Sequence, residues 1–399
     1  MIKTVKVKTD EYTEKIAKCF DYEFDGTSTF EVPEIDLNQI PEDYNIGLIV
    51  GPSGSGKTSL LSLFGNIEEV TWDNSISIAS NFSSPEEAID KLGAVGLSSI
   101  PTWCKPYNVL SNGEAFRADL ARRLKDNAII DEFTSVVNRE CAKACSASIS
   151  KYIRKNNIKN VVIASCHRDI IEWLEPDWVY DTGNHELSVG RNLWHRPEIV
   201  IEIRECKKDL WEMFKEHHYL NNTMNSSCRC FVALWGEEIV GFVGAISLPG
   251  KIPPLYEGDE RKKWRESRCI ILPDYQGMGI GTRLSEAIAQ IFLDQGYRYF
   301  SKTAHVRVIK HRENSDLWRT TSTHMKSRAK SQKCSKKEAW HHLCLDQIRI
   351  CGSFEYIGPI GTKYRDLYEE QKRKDKENKR LEKQKKLFMK NKKKIINKK

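Results

Sequence analysis

Long apolar runs are absent from this chain of 399 residues. A membrane-spanning helix needs roughly 20 consecutive apolar residues, so we expect no membrane span. The N-terminal stretch MIKTVKVKTDEYTEK lacks the apolar segment of a signal peptide. Twelve cysteines occur without framework spacing, which in a chain lacking an export signal indicates reduced thiols. These absences predict a cytoplasmic protein.

The net positive charge of the chain is concentrated in one segment. The whole chain carries a net charge of +8, whereas residues 366–399 carry fifteen Lys/Arg and six Asp/Glu, a net of +9. This tail has no glycine or proline. One interpretation is a solvated tail that is helical or disordered. The other is a cationic arm that binds nucleic acid as a partner.

The stretch IGLIVGPSGSGKTSLL predicts a strand, a glycine loop and a helix. It completes the GxxxxGK[ST] pattern, in which backbone amides surround the β-phosphate of a nucleotide. Lys57 would reach the β- and γ-phosphates, and the Thr58 hydroxyl would bind Mg²⁺. The helix N-terminus adds its dipole. The residues predicted to bind ATP here are Gly51, Ser53, Gly54, Ser55, Gly56, Lys57, Thr58 and Ser59.

Two later strand-like runs end in polar residues. NAIIDEFTS, residues 127–135, ends in Asp131, which would hold Mg²⁺, and Glu132, which would orient or deprotonate water. Taken alone, an ordinary strand ending at an acidic turn fits that run equally well. NVVIASCHRD, residues 160–169, would deliver His167 to the carboxyl end of a sheet.

The stretch VLSNGEAFRADLARRL, residues 109–124, lies between the glycine loop and the paired acids. Together with those motifs, LSNGE resembles the signature of ABC ATPases, over roughly residues 30–185. The resemblance implies a homodimer that sandwiches ATP, with Ser111 and Gly113 of one copy facing the γ-phosphate held by the other. A capped helix start, with Ser111 as N-cap, is compatible with that role.

The sequence departs from the ABC pattern in three places. No glutamine occurs between Gln39 and Gln276, so the Q-loop glutamine is missing, and Asn81 is its candidate replacement. Asn138 stands where the family usually has aspartate. The stretch between the glycine loop and the signature is short. Because the Q-loop couples nucleotide to a transmembrane partner, we expect no such partner and no transporter.

The second half changes pattern after residue 192. CRCFVALWGEEIVGFVGAISLPG predicts two strands around a turn, and LPDYQGMGIGTRL then predicts a glycine turn that opens a helix. This region resembles the GNAT acetyltransferases, whose Q/R-x-x-G-x-G/A motif is matched by Gln276, Gly279 and Gly281. The resemblance implies that the edge of the strand CIIL pairs with pantetheine; a glycine turn without ligand is the alternative. The predicted acetyl-CoA residues are Ile271, Leu272, Gln276, Gly277, Met278, Gly279, Ile280, Gly281 and Thr282.

Catalytic groups for acyl transfer are sparse. No tyrosine occurs between Tyr299 and Tyr356, so the position of the family's usual tyrosine acid is empty. HHY at residues 217–219 is predicted to end a helix on the acceptor side. The surrounding FKEHHYLNN loosely resembles Mom-type phage proteins that modify DNA. Separately, CSKKEAWHHLC, residues 334–344, contains cysteines and histidines that could hold zinc, although their spacing fits no common zinc finger. The catalytic candidates are His217, His218 and Tyr275, with Tyr219, Asp274 and Ser315 as further possibilities.

The motifs together predict an α/β fold with two domains. Residues 1–192 would form a P-loop NTPase of ABC type, residues 193–365 an α+β GNAT-like acyltransferase, and residues 366–399 the basic tail. We expect ATP hydrolysis and acyl-CoA-dependent modification of a nucleic acid, either a base or tRNA. The alternatives are an ATPase-regulated N-acetyltransferase of a small amine or protein, and a nucleotide-switched clamp with a degenerate transferase domain.

Overall fold

The computed structural model describes residues 2–218, 223–250, 252–325 and 351–396. The chain divides into two units. The first contains Met1–Val200 and Leu272–Met278, and the second contains Ile201–Ile271 and Gly279–Lys399. Within the described residues, no helix combines the length and apolar character needed to cross a bilayer.

Buried apolar runs of the first unit form a sheet with strand order β4-β5-β3-β6-β7. The first four are parallel neighbours, and β7 pairs antiparallel with β6. β3 and β5 are buried at every position, as expected when both faces of a parallel sheet are covered. The carboxyl ends of these strands therefore lie along one edge. The strands are β3 Ile46–Val50, β4 Ile129–Ile130, β5 Val161–Ser165, β6 Trp178–Asp181 and β7 Glu186–Val189.

Helices cover this sheet, and a separate two-stranded sheet precedes it. The two strands β1 Ile2–Lys6 and β2 Thr27–Glu31 pair antiparallel, and α1 Glu11–Phe20 lies between them in sequence. Apolar helix faces and strands share a core that includes Leu48, Ile130 and Ile163. The other helices are α2 Lys57–Leu61, α3 Pro85–Ala94, α4 Ile100–Trp103, α5 Asn112–Arg123, α6 Arg139–Lys155 and α7 Ile171–Leu174.

The second unit contains a seven-stranded sheet in the described part of the chain, with order β13-β14-β12-β11-β10-β9-β8. All neighbouring strands are antiparallel except β11 and β12, which are parallel. The strands are β8 Glu202–Cys206, β9 Arg229–Trp235, β10 Glu238–Ser247, β11 Lys263–Ile271, β12 Arg298–Thr303, β13 Trp318–Thr320 and β14 Gly352–Tyr356. The helices are α8 Ile280–Asp294, α9 Val306–Glu313 and α10 Lys363–Ile396.

Two buried charge clusters fix β12. In the first cluster, the Glu355 carboxylate accepts from Arg298 Nε at 2.6 Å and from Arg319 Nε at 2.9 Å. In the second, the Glu266 carboxylate accepts from Ser301 at 2.7 Å and from Arg312 at 3.2 Å. Buried charges require such partners, because an unpaired one costs several kcal/mol. The clusters therefore tie β12 to β14 and β11 through side chains.

The basic tail is helical. α10 begins at Lys363, slightly before the predicted tail boundary, and extends to Ile396. Its first turns pack on the second unit: the Arg261 guanidinium lies 3.9 Å from the Tyr364 ring centre, and the Glu257 amide donates to Gln371 at 3.2 Å. From Lys372 to Lys385 the side chains are mainly exposed. The first turns of α10 are thus packed on the second unit, and the part from Lys372 to Lys385 is a solvent-exposed basic helix.

Candidate functional site

The glycine loop of the first unit connects the buried strand β3 to helix α2. Gly51, Gly54 and Gly56 have φ angles of +151°, +75° and +85°, which side-chain-bearing residues rarely adopt. Lys57 Nζ donates to the Gly51 and Pro52 carbonyls at 3.0 and 2.6 Å, within the loop itself. The predicted phosphate loop therefore has the backbone conformation that its glycines permit.

Neighbouring side chains fix the base of this loop. A Cβ on Gly51 would lie 1.9 Å from Thr182 Oγ1, so this glycine is required for close approach. Ser55 Oγ lies 2.6 Å from the same Thr182 hydroxyl. Ser53 is exposed and Ser59 is half-buried.

The two predicted Mg²⁺ ligands lie together. Thr58 Oγ1 donates to Asp131 Oδ2 at 2.6 Å, although Thr58 lies in α2, after β3, and Asp131 directly follows β4. A hydroxyl and a carboxylate are hard oxygen ligands of the kind Mg²⁺ binds beside nucleotide phosphates. The donor set therefore fits the predicted metal.

Glu132 and His167 lie at the same edge of the sheet. Glu132 is exposed with φ +50°, an unusual conformation for a non-glycine residue. His167 Nδ1 lies 3.1 Å from Thr134 Oγ1, and its backbone amide donates to Ser165 at 3.1 Å. Partial burial, together with the nearby Arg139 charge, lowers the pKa of His167. The imidazole is thus biased towards its neutral form.

The signature segment forms the start of α5. Ser111 is the N-cap, and its side chain and that of Glu114 form a reciprocal capping box. Ser111 remains exposed and Gly113 half-buried. A Cβ on Gly113 would lie 3.5 Å from Val137 in the loop that follows the acids. Both interpretations of LSNGE are therefore compatible with the structure.

Asn81, the proposed Q-loop replacement, has a local role. Its Oδ1 accepts from the Asp73 amide at 2.9 Å, and its Nδ2 donates to the Ser77 carbonyl at 2.9 Å. These bonds close a turn. The side chain thus has structural partners that explain its presence.

Phe30 was not predicted as a site residue. A Cβ on Gly56 would lie 3.1 Å from Phe30 Cε1, which places the aromatic ring against the phosphate loop. The ring is 40% exposed. The available sequence signal for Phe30 was an aromatic residue in the strand-like run TSTFE. The sheet β1-β2 is distant from the loop in sequence, so the pattern did not indicate that the two are in contact.

The glycine turn of the second half is divided between the units. Leu272–Met278 groups with the first unit, and Gly279 onwards with the second. Within the first unit, Gln276 Oε1 accepts from the Ser98 amide at 3.0 Å. A Cβ on Gly277 would lie 2.8 Å from Ser148 Oγ on α6, so the loop approaches that helix closely. The Gln276 side chain is thus used in packing.

Helix α8 begins at an open glycine. Its N-cap, Gly279, has φ +85° and no side-chain cap, and a Cβ there would meet no atom within 4 Å. The first amides of a helix have no partners within it, so those near Gly279–Thr282 are available to an anion. Gly281 allows close packing, since its Cβ would lie 3.2 Å from Ile271.

Strands β11 and β12 separate after a short ladder. Their described pairing covers only Lys263–Arg265 with Arg298–Phe300. β11 has one extra residue, Ser267, opposite the step from Gly244 to Ala245, which makes a bulge. Beyond the ladder, β11 leads to the start of α8 with one edge unpaired by β12 in the described residues. An extended chain can add to such an edge.

The helix predicted to end at HHY is 3₁₀ and interrupted in the described residues. The chain forms 3₁₀ turns at Lys208–Met213 and Lys215–His217. Trp211 and Phe214, three residues apart, both pack on Phe242 with ring centres 5.7 and 5.3 Å away. Residues at i and i+3 share a face in 3₁₀ geometry, so this packing favours the turns.

The catalytic candidates differ in exposure. His217 is exposed, and the half-buried His218 ring lies 5.9 Å from that of Trp211. Tyr275 is 8% exposed within the segment that groups with the first unit. Ser315 caps a turn by accepting from the Leu317 amide at 3.3 Å. Tyr219 and residues 334–344, the zinc candidate, lie outside the described residues.

One segment of the chain matches a known family model. Residues 194–311 match the Acetyltransferase (GNAT) family model. No curated protein matches the chain.

Three solved structures are similar to parts of the chain. A Bacillus subtilis acetyltransferase in complex with CoA is 12% identical, covering 40% of this chain and 98% of its own, with a TM-score of 0.24. Arabidopsis thaliana NAA60 in complex with acetyl-CoA is 14% identical, covering 39% and 98%, with a TM-score of 0.28. MJ0796, a bacterial ABC transporter cassette in a dimeric structure, is 16% identical, covering 45% and 94%, with a TM-score of 0.30.

The fold is α/β, with a mainly parallel sheet in the first unit, and the chain contains a GNAT acetyltransferase domain at residues 194–311.

Proposed function

We propose that the chain is an ATP-binding and ATP-hydrolysing enzyme of ABC type joined to an acyl-CoA-dependent N-acyltransferase. The bond between Thr58 and Asp131 carries the first part, because it unites the predicted metal ligands at the phosphate loop. The end of the β11–β12 ladder at Arg265, together with the N-terminus of α8 that has no side-chain cap, carries the second.

For ATP hydrolysis, the loop amides and Lys57 bind the phosphates, and Thr58 and Asp131 hold Mg²⁺. The metal neutralises charge on the phosphate oxygens when bound. Glu132 accepts a proton from the attacking water, and a neutral His167 donates or accepts a hydrogen bond near the γ-phosphate. Ser111 and Gly113 of a second copy complete the site in a homodimer.

For acyl transfer, the N-terminus of α8 binds the pyrophosphate of acetyl-CoA and β11 binds its pantetheine arm. An acceptor amine attacks the thioester carbonyl, forming a C–N bond as the C–S bond breaks. The amine proton passes to a base, for which His217 and His218 are the candidates. The thiolate leaves and takes a proton, giving free CoA.

Phe30 provides a stacking surface for adenine. Its half-exposed ring lies against Gly56, beside the predicted phosphate site. Phe30→Ala should weaken ATP binding by about 1–3 kcal/mol, the usual value of base–aromatic stacking. Inorganic tripolyphosphate should bind equally to both proteins, because it has no base. Calorimetry with both ligands tests this, and Phe20→Ala, at an exposed position on α1, is the control. Equal ATP affinities would exclude Phe30 from the site.

Glu132 is expected to act as the base in ATP hydrolysis. Glu132→Gln should reduce turnover by about 10²–10⁴-fold, because the neutral amide accepts no proton from water. ATP should then accumulate in a dimer, visible by light scattering. Glu172→Gln, which removes an exposed carboxylate in the same unit, should leave both properties unchanged. A Glu132→Gln protein that stays monomeric with ATP, or in which Ser111→Arg does not prevent dimerisation, would contradict the sandwich.

Gly279 should be essential for acetyl-CoA binding. Gly279→Trp would place an indole where the pyrophosphate binds, although the structure leaves space for the side chain. Gly361→Trp is a matched control, since Gly361 has the same φ of +85° and equally open surroundings. Calorimetry should show acetyl-CoA binding by wild type and Gly361→Trp, and none by Gly279→Trp. Wild-type protein that binds no acyl-CoA would instead favour the clamp with a degenerate transferase domain.

The exposed part of α10 favours nucleic acid as the acceptor over a small amine or a protein. Deleting residues 376–399 removes a net charge of +10 but keeps the contacts of Tyr364 and Gln371. The deletion should weaken binding to duplex DNA or RNA and flatten its salt dependence, whose slope is about −0.9 per neutralised phosphate on duplex DNA. Fluorescence anisotropy at several salt concentrations measures both. Equal affinities would remove α10 from nucleic-acid binding.

A further inference from the structure

Arg117 joins the signature segment to the acyl-CoA loop within the first unit. The Arg117 side chain is 5% exposed. Its Nε donates to the Gly113 carbonyl at 3.1 Å, and its Nη1 donates to the Pro273 carbonyl at 3.1 Å and the Gly96 carbonyl at 3.3 Å. One buried guanidinium thus bonds both to Gly113, which is predicted to face the γ-phosphate, and to the loop 272–278.

Asn138 makes a second link to the same loop. Its Oδ1 accepts from the Cys141 amide at 2.8 Å and so caps α6. Its Nδ2 donates to Asp274 Oδ2 at 2.8 Å. An aspartate at position 138, the usual residue in the family that the first half resembles, would keep the cap but could not donate. The departure from the family pattern therefore has a physical use here.

Close backbone packing accompanies these bonds. A Cβ on Gly96 would lie 2.7 Å from the Gln276 carbonyl oxygen, and one on Gly277 would lie 2.8 Å from Ser148. The Ser98 amide also donates to Gln276. Packed elements of this kind shift as units and do not deform continuously. Residues 272–278 are therefore packed closely against the first unit at several points.

We propose that Arg117 and Asn138 are positioning residues for the acyl-CoA loop, and that through them ATP binding and acyl-CoA binding are linked. This inference rests on the proposed function. Arg117 bonds directly to Gly113, and Asn138 follows the acid pair and adjoins Val137, whose Cγ1 would lie 3.5 Å from a Cβ on Gly113. Both nucleotide-facing segments therefore hold the loop. By linkage, each ligand must change the affinity for the other by the same factor.

The test is a calorimetric cycle on the full-length protein. Acetyl-CoA is titrated with and without saturating AMP-PNP and Mg²⁺, and AMP-PNP is titrated with and without acetyl-CoA. We expect each ligand to change the dissociation constant of the other by about 5-fold or more, the lower range of typical allosteric coupling. Asn138→Asp should bring this ratio to about 1, because two carboxylates then face each other across the broken bond.

The swapped variant Asn138→Asp/Asp274→Asn separates positioning from folding. It restores a donor and an acceptor at the same two positions and keeps the cap on α6, so the linkage should return. Asn66→Asp, an exposed change of equal charge in the same unit, should keep the wild-type ratio. A protein melting curve for each variant reports whether it folds.

The outcomes are distinguishable. A wild-type ratio of 1 with both ligands binding overturns the linkage while leaving the proposed function intact. A wild-type ratio preserved in Asn138→Asp, or not restored by the swap, overturns the role of Asn138. Absence of binding by acetyl-CoA alone or AMP-PNP alone overturns the proposed function, and the linkage with it.

Discussion

Both candidate sites depend on the same backbone constraint: a glycine in left-handed conformation at the start of a helix. Gly56 precedes α2 with φ +85°, and Gly279 precedes α8 with φ +85°. Neither helix start has a side-chain cap. Because no side chain occupies the first amides, these remain available to an anion, and the helix dipole favours one. Two different folds therefore share the same local geometry at a helix start.

What surrounds each glycine determines the chemistry that it supports. In the first unit, the parallel sheet brings Thr58, Asp131 and Glu132 to one edge, which suits a metal and an attacking water. In the second, β11 leaves β12 after three paired positions, before the strand reaches the glycine turn. The first arrangement supports phosphoryl transfer and the second acyl transfer from a carrier.

The loop 272–278 gives the chain a property that neither motif has alone. Its contacts with Arg117, Ser98 and Asn138 belong to the first unit, although the GNAT family model covers the same residues. The loop is therefore fixed by first-unit side chains and backbone while it belongs to the matched family segment. This constraint motivates the proposed linkage between the two ligands.

The sequence by itself determined the local elements of both sites. Glycine spacing after an apolar run predicted the glycine loop between β3 and α2, and the closeness of Thr58 to Asp131 is consistent with parallel strands ending at one edge. Tertiary packing decided the rest. Phe30 reaches the loop only through the separate sheet β1-β2, and Trp211 and Phe214 turned a predicted helix into 3₁₀ turns by packing on Phe242. The hydrogen bond between Asn138 and Asp274 also depends on tertiary packing. The two residues are distant in sequence, and the local sequence pattern does not indicate which distant residues pair.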